Sequence, residues 1–399
     1  MSKWEWKKLG DLYPIVMGKT PPRGDPSCWD KSKRTNNVWV TIADISSNEN
    51  QVITESKEYI SDKATKNISL VSPKSLLLSF KLSIGKMAFA GVPLYTNEAI
   101  VNFPPIKDID LHYLHKYFLY YNWDKASEGD TKVKGKTLNK EKLKNIDIPI
   151  PPLPEQKRIV KYLDEEFSKI DMLKANAETN LKKARQLFKA GLEKTLQGKG
   201  SWKKMILEDV CSNIVDCPHT TPKKVSYQTN YPCIRTSELK CGEIDWKSMQ
   251  YLDEKEYKKR IARLEPKEND IVYGREGSFG DAVLLPNTHR FSLGQRTMLL
   301  RPDLNVVIPR FLLLSIISPY VYKQAQEKNN GCGVGHVNVG DIKKFNIFIP
   351  PLSVQKGIVA RLDKLSENVK RLEANYKQII ANCDELKKSI LKKTFEGES

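Results

Sequence analysis

One segment of this 399-residue chain is written twice. Ile148-Pro149-Ile150-Pro151-Pro152-Leu153-Pro154-Glu155-Gln156 returns about 199 residues later as Ile347-Phe348-Ile349-Pro350-Pro351-Leu352-Ser353-Val354-Gln355. The same offset joins Thr195-Leu196-Gln197-Gly198 to Thr394-Phe395-Glu396-Gly397. It nearly holds upstream, where Leu9-Gly10-Asp11-Leu12 meets Leu207-Glu208-Asp209-Val210. A repeat of that reach makes the chain two copies of one unit, which suits a two-part target. Between the anchors the copies diverge: Met17-Gly18-Lys19-Thr20-Pro21 faces Val215-Asp216-Cys217-Pro218-His219-Thr220-Thr221-Pro222, and Ser83-Ile84-Gly85-Lys86 faces Ser278-Phe279-Gly280-Asp281. One scaffold carrying two sets of loops reads as two specificities.

After each Pro-Pro-Leu the apolar pattern turns helical. In the second copy Ile358, Leu362, Leu365, Val369, Leu372, Tyr376, Ile379, Cys383, Leu386 and Ile390 alternate steps of four and three, the seam of a coiled coil. The first copy is looser, through Ile159, Leu163, Phe167, Ile170, Leu173, Ala177, Leu181, Ala184 and then Leu187 or Phe188. Some 40 residues at 1.5 Å each predict helices about 60 Å long, each needing a partner that the other copy supplies. Pro154 suits a first helical turn, Ser353 reads as an N-cap, and Gly198 and Gly200 end the first helix. The block before each helix alternates short β-rich runs (Val38 to Ile42, Ser75 to Phe80, Asp270 to Tyr273, Arg296 to Arg301) with helical pieces near Leu111–Phe118 and Pro309–Leu313. The expected class is α+β: mixed α/β domains over 1–153 and 199–352, and long helices over 154–198 and 353–396.

The net charge of +18 is shared between the copies, with 34 basic and 24 acidic residues up to position 200 and 32 and 24 after it. A basic excess on both copies fits a polyanion spanning the molecule, most simply double-stranded DNA. Seven scattered cysteines and an N-terminus without a signal-peptide apolar core predict a reduced, cytoplasmic protein. The longest strongly apolar run, Phe311 to Ile317, is too short for a membrane span and reads as a buried helix.

Chemistry-bearing motifs are absent. Gly18-Lys19-Thr20 and Gly135-Lys136-Thr137 echo a phosphate loop, but Tyr13 and Asp130 stand where its leading glycine is needed. Gly331 to Gly335 precedes no strand-turn-helix unit and reads as a loop. Cys211, Cys217, His219, Cys233 and Cys241 lack the close spacing of a zinc site. No cofactor, metal or catalytic centre is expected. The DNA-contacting candidates in the first copy are Lys19, Thr20, Arg23, Lys31, Lys33, Arg34, Lys81, Lys86 and the lysine-rich segment with Lys132, Lys134 and Lys136. In the second they are His219, Lys223, Lys224, Arg235, Arg275, Arg290, Arg296 and His336. Arginines can fork onto guanine edges, whereas lysines more often hold phosphates.

The doubled Ile-Pro-Ile-Pro-Pro-Leu-Pro-Glu-Gln hinge (Ile148 to Gln156, Ile347 to Gln355), followed each time by a long amphipathic helix, resembles the specificity subunits of type I restriction-modification systems over the full chain. Gly18-Lys19-Thr20-Pro21 and Asp216 to Pro222 resemble that family's target-recognition domains. The resemblance implies a non-catalytic subunit whose two target-recognition domains each read half of a bipartite, asymmetric site. It also implies that the two helices pair antiparallel as a spacer, giving an internal pseudo-two-fold repeat, and dock two modification subunits. Those subunits bind S-adenosylmethionine and methylate flipped adenines, and restriction subunits complete the assembly. A coiled-coil scaffold without DNA binding, or another bipartite DNA-binding regulator, is the alternative.

Overall fold

The computed structural model describes residues 4–127, 131–132, 135–136, 138–198, 200, 202–240, 242–277, 279–329 and 335–397. The chain forms two compact units, Met1–Asn176 with Ile379–Ser399, and Ala177–Gln378.

In unit 1 the strand Leu76–Ser79 is apolar on both faces and wholly buried, so it lies at the centre of a sheet. Met87–Ala90 and Ile100–Phe103 flank it antiparallel, and Val52–Ile53 extends the Met87–Ala90 edge in parallel. A second sheet sets Val38–Val40 between Glu58–Tyr59 and Leu94–Thr96. Glu5–Lys8 pairs with Asp147–Ile150, bringing the proline hinge back to the start of the chain. The strand expected through Ile42 stops at Val40, because Thr41 and Asp44 form a capping box that starts the helix Ile42–Ser47.

Unit 2 repeats the plan. Ile271–Gly274 lies between Ala282–Leu284 and Thr297–Pro302, Pro232–Ile234 between Gln250–Leu252 and Ser292–Leu293, and Lys203–Ile206 pairs with Asn346–Ile349. The copies differ at their sheet edges. Cys211–Asp216 forms a full strand along Thr297–Pro302, where unit 1 has the single bridge between Met17 and Val101.

The long helices run Leu153–Leu196 and Leu352–Glu396. Each starts on the same device, a fully buried glutamine. Gln156 accepts from the Asp110 N–H and donates to the carbonyls of Asp108 and Pro151. Gln355 accepts from Ile308 N–H and donates to Val306 and Pro350. The Pro152 and Pro351 carbonyls accept the first helical bonds, so Ser353 lies inside the first turn and is not the N-cap expected of it.

Each unit's core takes the start of one long helix and the end of the other. Ile159 and Leu163 join Leu391 and Phe395 in unit 1, and Ile358 and Leu362 join Leu192 and Leu196 in unit 2. Within unit 1 Asp171 pairs with Lys387 and Lys174 with Asp384, so three residues forward on one helix is three back on the other. Within unit 2 Arg185 meets Glu373 and Thr195 meets Arg361 in the same antiparallel sense.

The contact between the helices is narrower than the seam pattern predicts. Ile170, Ala177, Ala184, Val369 and Cys383 are buried, and Leu365 and Ile379 are half-buried. Leu173, Leu187, Leu372 and Leu386 are 50, 49, 37 and 47 % exposed, which corrects their assignment to the closed seam. The buried positions along the middle of the first helix recur every seventh residue. Alanine at 177 and 184 lets the partner backbone approach on that one line, and the flanking leucines stay outside. Among the described residues no helix is long and apolar enough to cross a membrane.

Candidate nucleic-acid interface

The divergent loop of unit 1 leaves the sheet at Met17. Gly18 is pressed against the Thr96 backbone so closely that a Cβ would collide with its carbonyl, so only glycine fits there. Lys19 N–H donates to Thr96 O at 2.8 Å, and Trp39 Nε1 donates to Lys19 O at 3.2 Å, which leaves the Lys19 side chain exposed. The Thr20 hydroxyl donates to Glu98 and holds that carboxyl below its ordinary range. Arg23 pairs with Glu58 and stacks 4.2 Å over Trp29 and 4.8 Å over Trp39. Arg23 and Trp29, with Lys31, Glu58 and Tyr59, line a hollow of about 290 Å³. Lys33, at φ 54°, donates to Ser56 O at 2.9 Å and lies over Tyr59, while Arg34 is exposed. Lys86 is paired with Glu49. Lys132 and Lys136 lie in the paired segments Thr131–Lys132 and Gly135–Lys136, and Lys134 falls outside the described residues.

Unit 2 gathers its candidates around two carboxylates. Asp216 accepts from Arg275 Nε at 3.0 Å and faces His219 Nε2 at 3.1 Å. Glu276 faces Arg275 at 3.3 Å, Arg296 at 3.4 Å and His336 at 3.2 Å. Four residues spread over more than a hundred positions thus meet in one cluster. Arg290 pairs with Glu265 at 2.8 Å over the Tyr257 ring, and that bond pushes its guanidinium further toward the charged form. Lys223 and Lys224 are exposed. Two arginines expected to reach outward do not. Arg275 is 5 % exposed, and Arg235 turns inward to fork onto the buried Glu238, because each has a carboxylate beside it that bulk water cannot replace.

Residues that hold these loops were not singled out from the sequence. Buried Arg260 donates to the carbonyls of Thr220 (2.7 Å), Pro218 (3.1 Å) and Leu293 (2.7 and 3.0 Å), and Arg263 donates to those of Asp216 and Cys217. Gln295 Nε2 donates to His219 O at 2.9 Å, and its Oε1 accepts from the Thr221 hydroxyl at 3.4 Å, as Glu98 accepts from Thr20 in unit 1. The available signal was weak. Arg260 ends a lysine-rich helix, Glu254–Arg260, that looks like a solvated face. Among the described residues no three His, Cys, Asp or Glu side chains are gathered as metal ligands would be.

Residues 1–183 and 199–381 each match the family model described as the Type I restriction modification DNA specificity domain. The chain is 24 % identical over 426 residues to the type I restriction enzyme MjaIX specificity subunit of Methanocaldococcus jannaschii, covering 99 % of this chain and 93 % of that protein. It is 23 % identical over 287 residues to the EcoBI specificity subunit of Escherichia coli, covering 66 % of this chain and 60 % of that one. The fold matches a chain solved in work on complex assembly and conformational transition of the type I R-M system, with TM-score 0.77 at 17 % identity, over 100 % of this chain and 99 % of the other. It also matches the HsdS subunit from Thermoanaerobacter tengcongensis, with TM-score 0.59 at 16 % identity, over 100 % and 98 %.

Proposed function

Because the chain belongs to the type I restriction modification DNA specificity family, we propose that it is the addressing subunit of a type I complex, with each unit reading half of a bipartite, asymmetric DNA site. Partner modification subunits, two per chain, then methylate adenines in that site, and restriction subunits cut DNA that lacks the mark. The chain itself contributes no catalysis and acts in the cytoplasm. The observation carrying this reading is one frame presenting two chemically different loops: a lysine, threonine and stacked arginine in unit 1, and a histidine–arginine–carboxylate cluster in unit 2. Equal frames with unlike loops suit unlike half-sites. Mapping methylated adenines in cells that express the chain with its modification subunits tests the reading. A split recognition sequence is expected, and a continuous one, or no chain-dependent methylation, would refute it.

Binding should also weaken steeply with salt. Each phosphate neutralised by a lysine or arginine adds about 0.9 to the log–log slope, so several contacts per unit give a slope of about −5 or steeper. Titrating the site-bearing duplex from low to high salt measures it, and a flat response would count against DNA as the partner.

The exposed leucines suit docking of the modification subunits. Leu173 and Leu372 are equivalent positions of the repeat, as are Leu187 and Leu386. The antiparallel register sets Leu173 level with Leu386 in unit 1 and Leu187 level with Leu372 in unit 2. Each unit thus carries one apolar pair at the same point of the repeat, one pair for each modification subunit. The double variant Leu187→Asp/Leu372→Asp should keep its melting temperature, since both sites are open to water. It should lose one modification subunit in native mass spectrometry, whereas Val369→Asp, in the closed contact, should cost about 3 kcal/mol or more of stability.

A further inference from the structure

The loop after Leu76–Ser79 and the loop after Ile271–Gly274 are copies of one turn, bond for bond. Ser79 N–H donates to Lys86 O as Gly274 does to Asp281 O, and Gly85 donates to Ser79 O as Gly280 does to Gly274 O. Leu138 donates to Phe80 O as Val337 does to Arg275 O, each at 2.9 Å. Those bonds align Leu82 with Gly277. Both have left-handed backbones, φ 64° and 69°. Unit 2 meets the demand with glycine, and a Cβ at Gly277 would point into open space. Unit 1 places a leucine there, 56 % exposed, at the rim of a hollow of about 440 Å³ that Tyr121 and Trp123 also line.

A leucine in this conformation is disfavoured relative to glycine, and leaving much of its side chain in water gains little for folding. Backbone held in a disfavoured region clusters at functional sites. The surroundings say which function. Lys81 and Lys86 flank the loop, and Lys81 acts electrostatically on Glu98, the residue that ties Thr20 in the neighbouring loop. Phe80 N–H bonds Ala99 O at 3.1 Å, so segment 96–99 joins the two loops directly. Beside Gly277 unit 2 instead sets Glu276 with His336 and Arg296, a polar surface at the equivalent place.

We propose that Leu82 is a specificity-determining residue of unit 1, reading the 5-methyl group of a thymine in the half-site which that unit contacts. The inference rests on the DNA-reading function above. Among the bases only thymine presents an apolar group on its major-groove edge, and an exposed aliphatic side chain on a loop flanked by two lysines is the chemistry that selects it.

The test uses the full chain with its modification subunits and duplexes bearing the mapped site, in which each thymine of the first half-site is replaced singly by deoxyuridine. That change keeps base pairing and removes only the methyl. For the wild type, one replacement should weaken binding about fourfold, the worth of one buried methyl. Leu82→Gly and Leu82→Ala should bind the unmodified duplex about fourfold more weakly and become indifferent to that replacement. Both should stay sensitive to changes in the second half-site. Leu82→Gly, which adopts the solution of unit 2, should keep its melting temperature, separating lost reading from lost folding. Retention of the wild-type pattern by both variants, or a first half-site insensitive to every replacement, overturns the inference while the DNA-reading function stands. A wild type that cannot tell the site from a scrambled duplex overturns both.

Discussion

Cut after Gly198, the chain should pair with a second copy of itself and direct methylation to a palindrome made of two copies of the first half-site. The fragment keeps the Met1–Asn176 part of unit 1 and the whole first helix but loses the Ile379–Ser399 part, whose Leu391 and Phe395 fill the core from the second helix. The repeat supplies replacements: Leu192 and Leu196 of another copy are the equivalents of Leu391 and Phe395 and bury in the matching place in unit 2. Two copies that exchange the same helix end are expected to pair about a two-fold axis. The fit is imperfect. Phe395 stacks on Tyr120 and lies edge-on to Tyr113 and Tyr117, and a leucine in its place leaves part of that volume empty. The dimer should therefore form at micromolar concentration, and Leu196→Phe should tighten it. Sedimentation and methylation mapping measure both, and methylation that persisted on the original asymmetric site would reject the division of reading between the units.

Replacing Arg260 by Met should silence the second half-site. Its guanidinium is 4 % exposed and satisfies the carbonyls of Thr220, Pro218 and Leu293. Methionine fills similar volume but donates nothing, so one buried and two partly buried carbonyls lose charge-assisted bonds worth about 1.5 to 3 kcal/mol each before relaxation. A net loss of about 3 to 5 kcal/mol in unit 2 is expected, read as an earlier unfolding transition. Methylation should fall by more than 100-fold because the loop from Asp216 to Pro222 is no longer held. Arg260→Lys should rescue only partly, since one ammonium cannot reach all three carbonyls. Wild-type activity in Arg260→Met would show that the loop keeps its shape without the arginine.

Much of the architecture was legible because repetition and period are one-dimensional signals. The offset between the two hinges, the apolar steps of three and four after Leu153 and Leu352, and the runs Leu76–Ser79 and Thr297–Arg301 each follow from local chain geometry. The candidate interface was legible only as a list of cations. A lysine or arginine in a sequence carries no sign of what lies beside it. Arg275 looked like a surface reader until the fold put Asp216 and Glu276 against it, and Arg260 looked like part of a solvated helix until the loop closed over it.

Repetition and apolar period along the chain suffice to establish two copies of one unit, a long helix at the end of each, and a difference between the copies in their loops. The tertiary structure decided which positions of each helix close. Ala177 and Ala184 admit the partner on a single line, so Leu173 and Leu372, indistinguishable from seam residues by spacing, remain in water. It also decided what the hinge glutamines do, since Gln156 and Gln355 each join a nearby proline carbonyl to a carbonyl and an amide nearly fifty residues away. Periodicity records which face of an element is apolar, whereas burial of a polar group depends on which distant backbone arrives to satisfy it, and that is settled only when the chain folds.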